Sequence, residues 1–293
     1  MSGVSVLMTA HNAGRYVAEA IESLIGQEYQ KWELILIDNG STDGSILDDL
    51  IMDERIKLTR LAMNIGRTPA LELALMQANH PYVAVLDADD IALSGRLSTQ
   101  VAILEADAQL VLVGSCVELI NSESVVFGNL CQTHGRVSHD QLAERNIFVN
   151  SSVMFRRSTA LAVGGYDDRF EFAQDYHLFI RLAFYGECLI LDETLTQLRI
   201  TENSYTKQKS TGTLRASEEA QLFLLAATTL RLSKWGKRTN RRRRALATMY
   251  LGWVQMKNGR ADLGAVNIIR GLLTDRMFLW VPYLLMGRKA PNL

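Results

Sequence analysis

The first ninety residues alternate between short apolar runs and amphipathic stretches, and this alternation is the strongest constraint on the fold. We interpret the apolar runs as four strands, at Val4–Thr9, Leu34–Ile37, Ile56–Leu61 and Tyr82–Leu86. The stretches between them are predicted helices, at Tyr16–Ile25, Ser41–Leu50 and Thr68–Ala78. Strands that alternate with helices pair in parallel through right-handed crossovers, in a sheet covered on both faces. The sequence therefore predicts an α/β fold of Rossmann-like build.

Beyond Asp90 the alternation is lost, and the chain ends in sequence with helical periodicity alone. Helices are predicted at Ser98–Glu105 and Asp175–Tyr185, with Gly186 as a helix stop. Short strands are predicted at Leu110–Gly114 and Val117–Ile120, and residues 121–146 carry no clear pattern. From Leu214 onward the apolar positions fit helices, the last two meeting at Asn258-Gly259. We therefore divide the chain into residues 1–110, 111–212 and 213–293, the last being a C-terminal α-helical extension.

Composition narrows the class of protein. With 48% apolar residues the chain can bury a core, and a net charge of −1 argues against a nucleic-acid-binding protein. The three cysteines, Cys116, Cys131 and Cys188, have no CxxC spacing, so we expect neither a disulfide framework nor a zinc site. No secretory signal is recognisable, and the longest apolar run, Met277–Met286, is too short to span a bilayer. We expect a cytoplasmic protein.

Polar clusters follow three of the four predicted strands. They are Thr9-Ala10-His11-Asn12, Asp38-Asn39-Gly40-Ser41 and Asp87-Ala88-Asp89-Asp90. In an open parallel sheet, ligands bind beyond the carboxyl ends of the strands, so the clusters share one rim. Two groups of carboxylates on one rim repel each other unless a cation compensates, and oxygen ligands select Mg²⁺ or Mn²⁺. A nucleoside diphosphate with a divalent metal fits this rim, whereas GxGxxG and GxxxxGK[ST] motifs are missing.

An ordered series of short motifs resembles family 2 glycosyltransferases. The series runs through Val4–Asn12, Ser23–Gln27, Glu33–Asp43, Asn64–Gly66, Leu86–Asp90, Gly164–Asp167 and Gln174–Leu182, and it covers residues 4–206. The resemblance implies the GT-A fold, a DxD motif that holds the metal of the donor, and transfer with inversion at the anomeric carbon. It makes residues 1–110 the nucleotide-sugar half of the domain and residues 111–212 the acceptor half.

The resemblance also implies roles for the rim residues. Asp38 matches an aspartate that accepts a hydrogen bond from uracil, although a helix cap would also explain it. Asp87 and Asp89 match the DxD motif and are the predicted metal ligands, with a solvated acidic loop as the alternative. For Asp90, a structural pair with Arg96 explains the residue as well as a ligand role does. The other predicted nucleotide-sugar contacts are Thr9, His11, Asn12, Asn64, Gly66, Arg67 and Ala88.

Asp175 is the predicted catalytic base. Inverting transfer requires a carboxylate that takes the proton of the acceptor hydroxyl while the sugar passes through an oxocarbenium-like state. An aspartate in the first turn of a helix also stabilises the helix dipole, which is the structural alternative. We expect this carboxylate to be ionised near neutral pH without a raised pKa.

Four positions depart from the family pattern. Asn39 replaces a second aspartate of many relatives, and Glu72 stands where asparagine is common. Gln174 replaces the glutamate of a Glu-Asp pair, and Thr201 occupies the place of a histidine that can join the metal. The departures at Glu72, Gln174 and Thr201 leave open a catalytically impaired nucleotide-sugar-binding module, although Asp87, Asp89 and Asp175 argue against it. A nucleotidyltransferase of similar build is a further alternative, but the glycine-rich loop with arginine that opens such enzymes is missing.

A basic stretch lies in the helical extension. Arg231–Arg244 contains eight Lys or Arg residues and no acid, with Trp235 among them. It is either a solvated linker between helices or a contact with an anionic membrane surface. Phe278, Trp280 and Tyr283 of the C-terminal tail would add aromatic side chains to such a contact. No RNA- or DNA-binding module accompanies the charges, so we expect no nucleic-acid partner.

The expected protein is a metal-dependent inverting glycosyltransferase of polysaccharide or glycolipid biosynthesis. We expect it to use Mn²⁺ or Mg²⁺, to take a sugar from a nucleotide-sugar donor, with a UDP-sugar favoured, and to pass it to a hydroxyl of a glycan or lipid-linked glycan. The expected location is the cytoplasm, peripheral at the inner face of the membrane.

Overall fold

The computed structural model describes residues 2–44, 46, 52–201 and 212–275. The strands are β1 Val4–Ala10, β2 Trp32–Asp38, β3 Ile56–Arg60, β4 Tyr82–Val85, β5 Ile91–Ala92, β6 Leu110–Ile120, β7 Val126–Leu130, β8 Gly135–Val137, β9 Met154–Arg156 and β10 Glu187–Arg199. The helices are α1 Tyr16–Ile25, α2 Arg67–Gln77, α3 Arg96–Ala106, α4 His139–Glu144, α5 Arg157–Ala162, α6 Gln174–Tyr185, α7 Gly212–Thr229, α8 Lys234–Lys257 and α9 Ala261–Thr274.

The first four strands form the parallel part of one mixed sheet. The sheet order is β3-β2-β1-β4-β9-β6-β10-β5, with β7 paired to β6 and β8 paired to β10. β1 runs parallel to both β2 and β4, and every residue of β2 is buried. Burial of successive residues means that both faces of this strand are covered. The predicted α/β fold and its four parallel strands are confirmed.

The second half of the sheet is mixed in direction. The three-residue strand β9 lies between β4 and β6 and is antiparallel to both. A strand of three residues is too short to show a recognisable pattern, so no strand is predicted there from sequence. β6 is one continuous strand where two were predicted, because the buried Ser115 and Cys116 interrupt the apolar pattern without ending the strand. Residues 121–146, which carry no clear pattern, contain β7, β8 and α4.

Two helix predictions need correction. Residues 41–44 of the helix predicted at 41–50 are not helical, and residues 45 and 47–50 lie outside the described residues. Gly186 does end α6, but its φ of −171° is extended and not left-handed. The residue is small for a packing reason, since a Cβ atom there would lie 2.6 Å from the carbonyl oxygen of Gln109 and against the side chain of Val111.

Cys116 and Cys131 are joined by a disulfide, so the expectation of no disulfide is wrong. Val117 of β6 pairs with Leu130 of the antiparallel strand β7. Cys116 comes directly before Val117, Cys131 comes directly after Leu130, and the two cysteine Cα atoms are 4.6 Å apart. Opposed residues of antiparallel strands come this close, within the range that a disulfide needs. The pairing of β6 with β7 was not readable from sequence, so the cysteine spacing carried no signal. Cys188 is buried and free.

The chain divides into two compact units, residues 2–138 with 146–201 and residues 139–145 with 212–275. In the second unit, α8 packs against α7, α9 and the short helix α4. Most of the basic stretch lies inside α8, so its interpretation as a linker between helices is wrong. Phe278, Trp280 and Tyr283 of the tail lie outside the described residues. None of the helices described is both long and apolar enough to cross a membrane.

Candidate active site

The ends of β1 and β2 are tied together by short polar contacts. The Asp38 carboxylate accepts a hydrogen bond of 2.9 Å from the backbone N–H of Ser41, and Arg60 lies 3.9 Å away. The Asn12 carboxamide accepts a hydrogen bond of 2.8 Å from the N–H of Thr42, and φ of Asn12 is 51°. Thr9 is the penultimate residue of β1. His11 is the first residue after this strand, and its Nδ1 lies 3.0 Å from the carbonyl oxygen of Asn39. The structure thus brings these predicted nucleotide contacts to one edge of the sheet.

Asn39 is fully engaged in holding the loop that precedes α2. Its Nδ2 donates to Asn64 Oδ1 at 3.0 Å and to the Gly66 carbonyl at 3.1 Å. Its Oδ1 accepts from the N–H of Ile65 at 2.9 Å, and the residue is buried. An aspartate has no donor for the two acceptors. The departure from the family pattern at position 39 therefore has a structural reason: it fixes Gly66 and the start of α2.

Arg67, the first residue of α2, pairs with Asp87 beyond the end of β4. Its Nη2 lies 2.6 Å from both Oδ1 and Oδ2 of Asp87. Burial disfavours the charged guanidinium, but Asp87 outweighs it, with smaller contributions from Asp175 and Asp89, and raises the pKa of Arg67. Asn150 Nδ2 also donates to Asp87 Oδ1, at 3.2 Å. One cation thus lies among three carboxylates of the predicted site.

The surroundings of Asp89 and Asp90 disfavour the ionised form of both carboxylates. Burial, reinforced by Asp87, raises the pKa of Asp89. Burial and the two preceding aspartates raise the pKa of Asp90 well above its usual range. Asp90 Oδ1 accepts from the N–H of Arg199 at 2.8 Å, while its buried Oδ2 has no hydrogen-bond partner among the described residues. The buried Arg96 interacts electrostatically with Asp90, but it donates its hydrogen bonds to backbone carbonyls and to a glutamine.

Arg199 at the end of β10 holds the backbone of the acidic turn, a role that the sequence analysis did not predict. Its Nε donates to the carbonyl oxygen of Asp89 at 2.8 Å. Its Nη1 donates to the Asn121 carbonyl at 3.0 Å, and its Nη2 donates to Glu19 at 2.7 Å. The guanidinium also lies over the ring of Tyr16. These partners are far apart in the chain, so no local pattern could have identified the contact.

Asp175 lies in the first turn of α6. One carboxylate oxygen accepts from Asn146 Nδ2 at 3.0 Å, and the other accepts from the N–H of Tyr176 at 2.7 Å. Burial raises the pKa of Asp175, and these two donors together with Arg67 oppose the rise. The expectation of an unshifted pKa is therefore wrong, because it considered the helix terminus and not desolvation. The carboxylate is partly buried and shares the electrostatic surroundings of Arg67 and Asp87.

The glycine turn before α6 places Tyr166 next to the carboxylates. Glu72 of α2 accepts a hydrogen bond of 2.6 Å from the N–H of Tyr166. Gly165 has φ of 63°, and a Cβ atom there would collide with the Glu72 carboxylate. The Tyr166 hydroxyl is buried without a hydrogen-bond partner among the described residues, and it interacts electrostatically with Asp175 and Arg67. Glu72, a departure from the family pattern, thus has a structural role in the turn.

The remaining residues singled out in the sequence make fewer polar contacts in the structure. Ala88 is buried in the turn between the two acids of the DxD motif. Gln174 is buried, and its Oε1 has no hydrogen-bond partner among the described residues. His177 stacks on Phe170 at 4.0 Å, and burial lowers its pKa to about 4. A neutral, stacked imidazole is a packing residue. Thr201 is the last described residue after β10.

Comparison with known proteins agrees with the motif series. The model of the family described as Glycosyl transferase family 2 matches residues 5–155. The chain is 31% identical over 215 residues to the O-antigen biosynthesis glycosyltransferase WbnJ of Escherichia coli, which covers 70% of this chain and 82% of that protein. It is 32% identical over 124 residues to WfgD of Escherichia coli, a UDP-Glc:alpha-D-GlcNAc-diphosphoundecaprenol beta-1,3-glucosyltransferase. That match covers 42% of this chain and 49% of WfgD.

Two solved structures share the fold. TarS 1-349 of S. aureus in complex with UDP-GlcNAc has a TM-score of 0.67 and 16% identity, over 92% of this chain and 79% of TarS. The mannosyltransferase PcManGT of Pyrobaculum calidifontis, in complex with GDP-Man and Mn²⁺, has a TM-score of 0.62 and 17% identity. The match covers 98% of this chain and 81% of the PcManGT chain. At these identities the likeness concerns the fold, and it confirms the predicted GT-A architecture.

Proposed function

This chain belongs to glycosyl transferase family 2, and we propose that it transfers a sugar from a nucleotide-sugar donor to an acceptor hydroxyl, with inversion at the anomeric carbon. The observation that carries the proposal is the grouping of Asp87, Asp89 and Asp175 around Arg67 at the carboxyl edge of the sheet. A UDP-sugar is the favoured donor, because WfgD is named for UDP-Glc and TarS is complexed with UDP-GlcNAc. Asp38 is the proposed contact to the base.

We propose that Asp87 and Asp89 hold a divalent cation, Mn²⁺ or Mg²⁺. The donor set fits such an ion, since carboxylate oxygens are its preferred ligands and since burial, reinforced by the neighbouring aspartates, raises the pKa values of Asp89 and Asp90. The PcManGT complex, on the same fold, contains Mn²⁺. When bound, the cation would neutralise charge on the diphosphate leaving group. The cation would share Asp87 with Arg67, and repulsion between the two positive charges would favour movement of the guanidinium toward a phosphate of the donor.

Asp175 is proposed as the base of the transfer step. The acceptor hydroxyl oxygen forms the bond to the anomeric carbon, its proton passes to the Asp175 carboxylate, and the bond from the sugar to the diphosphate breaks, so that the nucleoside diphosphate leaves. Attack on the face opposite the leaving group inverts the anomeric configuration. Asn146 holds one oxygen of the base, and the N–H of Tyr176 holds the other. The raised pKa brings the base closer to neutrality, where general bases are most effective.

A glycan or lipid-linked glycan of a polysaccharide or glycolipid pathway is the proposed acceptor. WbnJ is named for O-antigen biosynthesis, and WfgD is named for a sugar on diphosphoundecaprenol. A lipid-linked acceptor requires the enzyme to reach a membrane, and the stretch Arg231–Arg244 supplies eight positive charges for a peripheral contact. We propose a cytoplasmic enzyme at the inner face of the membrane.

A binding module without turnover is the competing function. The departures at Asn39 and Glu72 do not favour it, since both side chains hold backbone that shapes the site. Gln174 is the departure that keeps it open, because its buried Oε1 has no partner among the described residues. Release of UDP in the presence of an acceptor separates the two functions, because only a competent site turns over.

Thermal shift with a panel of UDP-glucose, UDP-N-acetylglucosamine, UDP-galactose and GDP-mannose, with and without Mn²⁺, tests the donor. At least one UDP-sugar should raise the melting temperature in the presence of Mn²⁺, by about 2–4 °C for each kcal/mol that the ligand adds to the folding stability, which is RT ln(1 + [L]/Kd) at donor concentration [L]. The proposed donor class would be wrong if GDP-mannose alone raised it, and the metal proposal would be wrong if the rise were the same without Mn²⁺.

A further inference from the structure

Helices α8 and α9 pack through very small residues. A Cβ atom on Gly252 would lie 2.5 Å from the carbonyl oxygen of Gly264, and one on Gly271 would lie 2.7 Å from that of Ala245. The two backbones therefore approach as closely as only small residues allow. Met249, Met256 and Ile268 lie against these glycines, each within 3 Å of where a Cβ atom would be, so the glycines make the room that these larger side chains fill.

The large apolar side chains of this pair lie on the outside. On α8, Leu246, Tyr250 and Trp253 recur every three or four residues, which places them on one face, and they are 47%, 51% and 45% exposed. On α9, Ile269 and Leu273 are 55% and 69% exposed and four residues apart. These five side chains keep 45–69% of their surface exposed in the packed pair, so they form apolar surface on its outside.

Positive charge accompanies this apolar face. α8 contains eight Lys or Arg residues and no Asp or Glu. Asp275 lies 3.9 Å from Arg241 and 3.6 Å from Arg242 and offsets part of the charge. At the other end of the helix, Lys257 Nζ lies 4.1 Å above the ring of Trp253. Aromatic rings and basic side chains at the margin of an apolar face favour the headgroup layer of a bilayer.

We propose that this apolar face, formed by Leu246, Tyr250, Trp253, Ile269 and Leu273, inserts into the interfacial layer of an anionic phospholipid bilayer. Each basic residue near such a surface contributes about 1 kcal/mol, and the apolar side chains add the free energy of leaving water. α9 has 14 residues, fewer than the ~20 that span a bilayer, and α8, although it has 24 residues, contains eight Lys or Arg residues. The pair is therefore placed in the plane of the interface. The inference rests on the membrane contact of the proposed function and identifies the side chains that make it.

Tryptophan quenching by vesicles of brominated phosphatidylglycerol tests the insertion. Bromine on the acyl chains quenches only rings that enter the bilayer, so the full-length protein should lose fluorescence and Trp253→Phe should lose much less. The chain has four tryptophans, so a second variant, Trp280→Phe, measures how much of the quenching comes from the tryptophan of the C-terminal tail. The double variant Leu246→Ser, Ile269→Ser should bind such vesicles roughly 30-fold more weakly, the ratio that corresponds to two losses of about 1 kcal/mol of apolar burial.

The matched control is Met52→Ser, because Met52 is an apolar side chain, 81% exposed, in the other compact unit. It should bind vesicles as the unchanged protein does, and melting curves of all variants check folding. The proposal is overturned if the double variant binds vesicles as tightly as the unchanged protein, or if the fluorescence of Trp253→Phe is quenched as strongly as that of the unchanged protein. A dimer that only the double variant breaks overturns it too, because a second copy would then cover the face. Sugar transfer to a water-soluble acceptor, measured in parallel, reports separately on the proposed function.

Discussion

The guanidinium of Arg67 lies 2.6 Å from both carboxylate oxygens of Asp87, so a side chain of the protein pairs with an aspartate that we propose as a metal ligand. This contact makes Arg67 a competitor of the divalent cation. Both groups neutralise the same carboxylate, and two positive charges beside one carboxylate repel each other. The guanidinium is therefore expected to be displaced when metal and donor bind.

Arg67→Leu should bind Mn²⁺ more tightly in the absence of donor. Removing the ion pair frees Asp87, and a pair of about 1 kcal/mol corresponds to roughly a fivefold lower Kd. Titration of Mn²⁺ followed by its electron paramagnetic resonance signal measures this Kd directly. The matched control is Arg169→Leu, which removes an exposed ion pair with Asp167 and should leave the Kd unchanged. Weaker Mn²⁺ binding in Arg67→Leu would show that the arginine supports the metal site and does not compete with it.

Asp89→Asn should stabilise the fold while it removes metal-dependent donor binding. Burial raises the pKa of Asp89 in the folded protein, so the carboxylate costs stability above that pKa, and the cost vanishes below the pKa of the unfolded chain. The variant should therefore melt higher at pH 7 and close to the unchanged protein near pH 4. About 1 kcal/mol corresponds to ~2–4 °C. An equal or lower melting temperature at pH 7 contradicts the electrostatic account, and undiminished Mn²⁺-stimulated activity contradicts the metal assignment.

Asn39→Asp should destabilise the protein although many relatives carry aspartate there. The new carboxylate would face the acceptor oxygens of Asn64 and Gly66, which lose their donor, at a cost of about 1–3 kcal/mol. Urea unfolding at pH 7 measures this cost. Asn12→Asp is the control, because the Asn12 side chain accepts from Thr42 N–H and an aspartate can do the same. Equal stability of the two variants would mean that the Asn39 amide is dispensable.

The parallel half of the sheet and the acidic rim were predictable from sequence because their signals are local. A buried strand followed by Asp87-Ala88-Asp89 is contiguous, and so is the glycine turn before Asp175. The contacts that complete the site are not contiguous. Arg199 reaches Glu19, 180 residues away in the chain, and Asn146 reaches Asp175 from a segment without a readable pattern.

Departures from the family pattern were visible in the sequence, but their meaning was not. At position 39 an amide replaces the aspartate of many relatives, and in the structure its side chain binds the loop before α2. Glu72 stands where asparagine is common, and it accepts a hydrogen bond from Tyr166. Each of these side chains is interpretable only when its partner, 25 or more residues away, is known.

The pH dependence of transfer should report the raised pKa of Asp175. The base acts as a carboxylate, so kcat should fall as the pH drops through that pKa, above the value of about 3.9 that is usual for aspartate. Asn146→Ala removes a donor to the ionised form, so its acid limb should move to higher pH. Rates from pH 4 to 8 at saturating donor give both profiles. An acid limb that stays in place or moves to lower pH in Asn146→Ala would contradict the assignment of the titrating group.

The most direct test of the central claim compares Asp175→Asn with the unchanged enzyme in two measurements on the same samples. Asparagine keeps the size of the side chain and can still accept from the N–H of Tyr176, so the affinity for the UDP-sugar should change little. Transfer to the acceptor should fall by roughly 10²–10⁴-fold, the usual contribution of a positioned base. Transfer near the rate of the unchanged enzyme, with donor affinity intact, would show that the proton goes elsewhere and that the proposed mechanism is wrong.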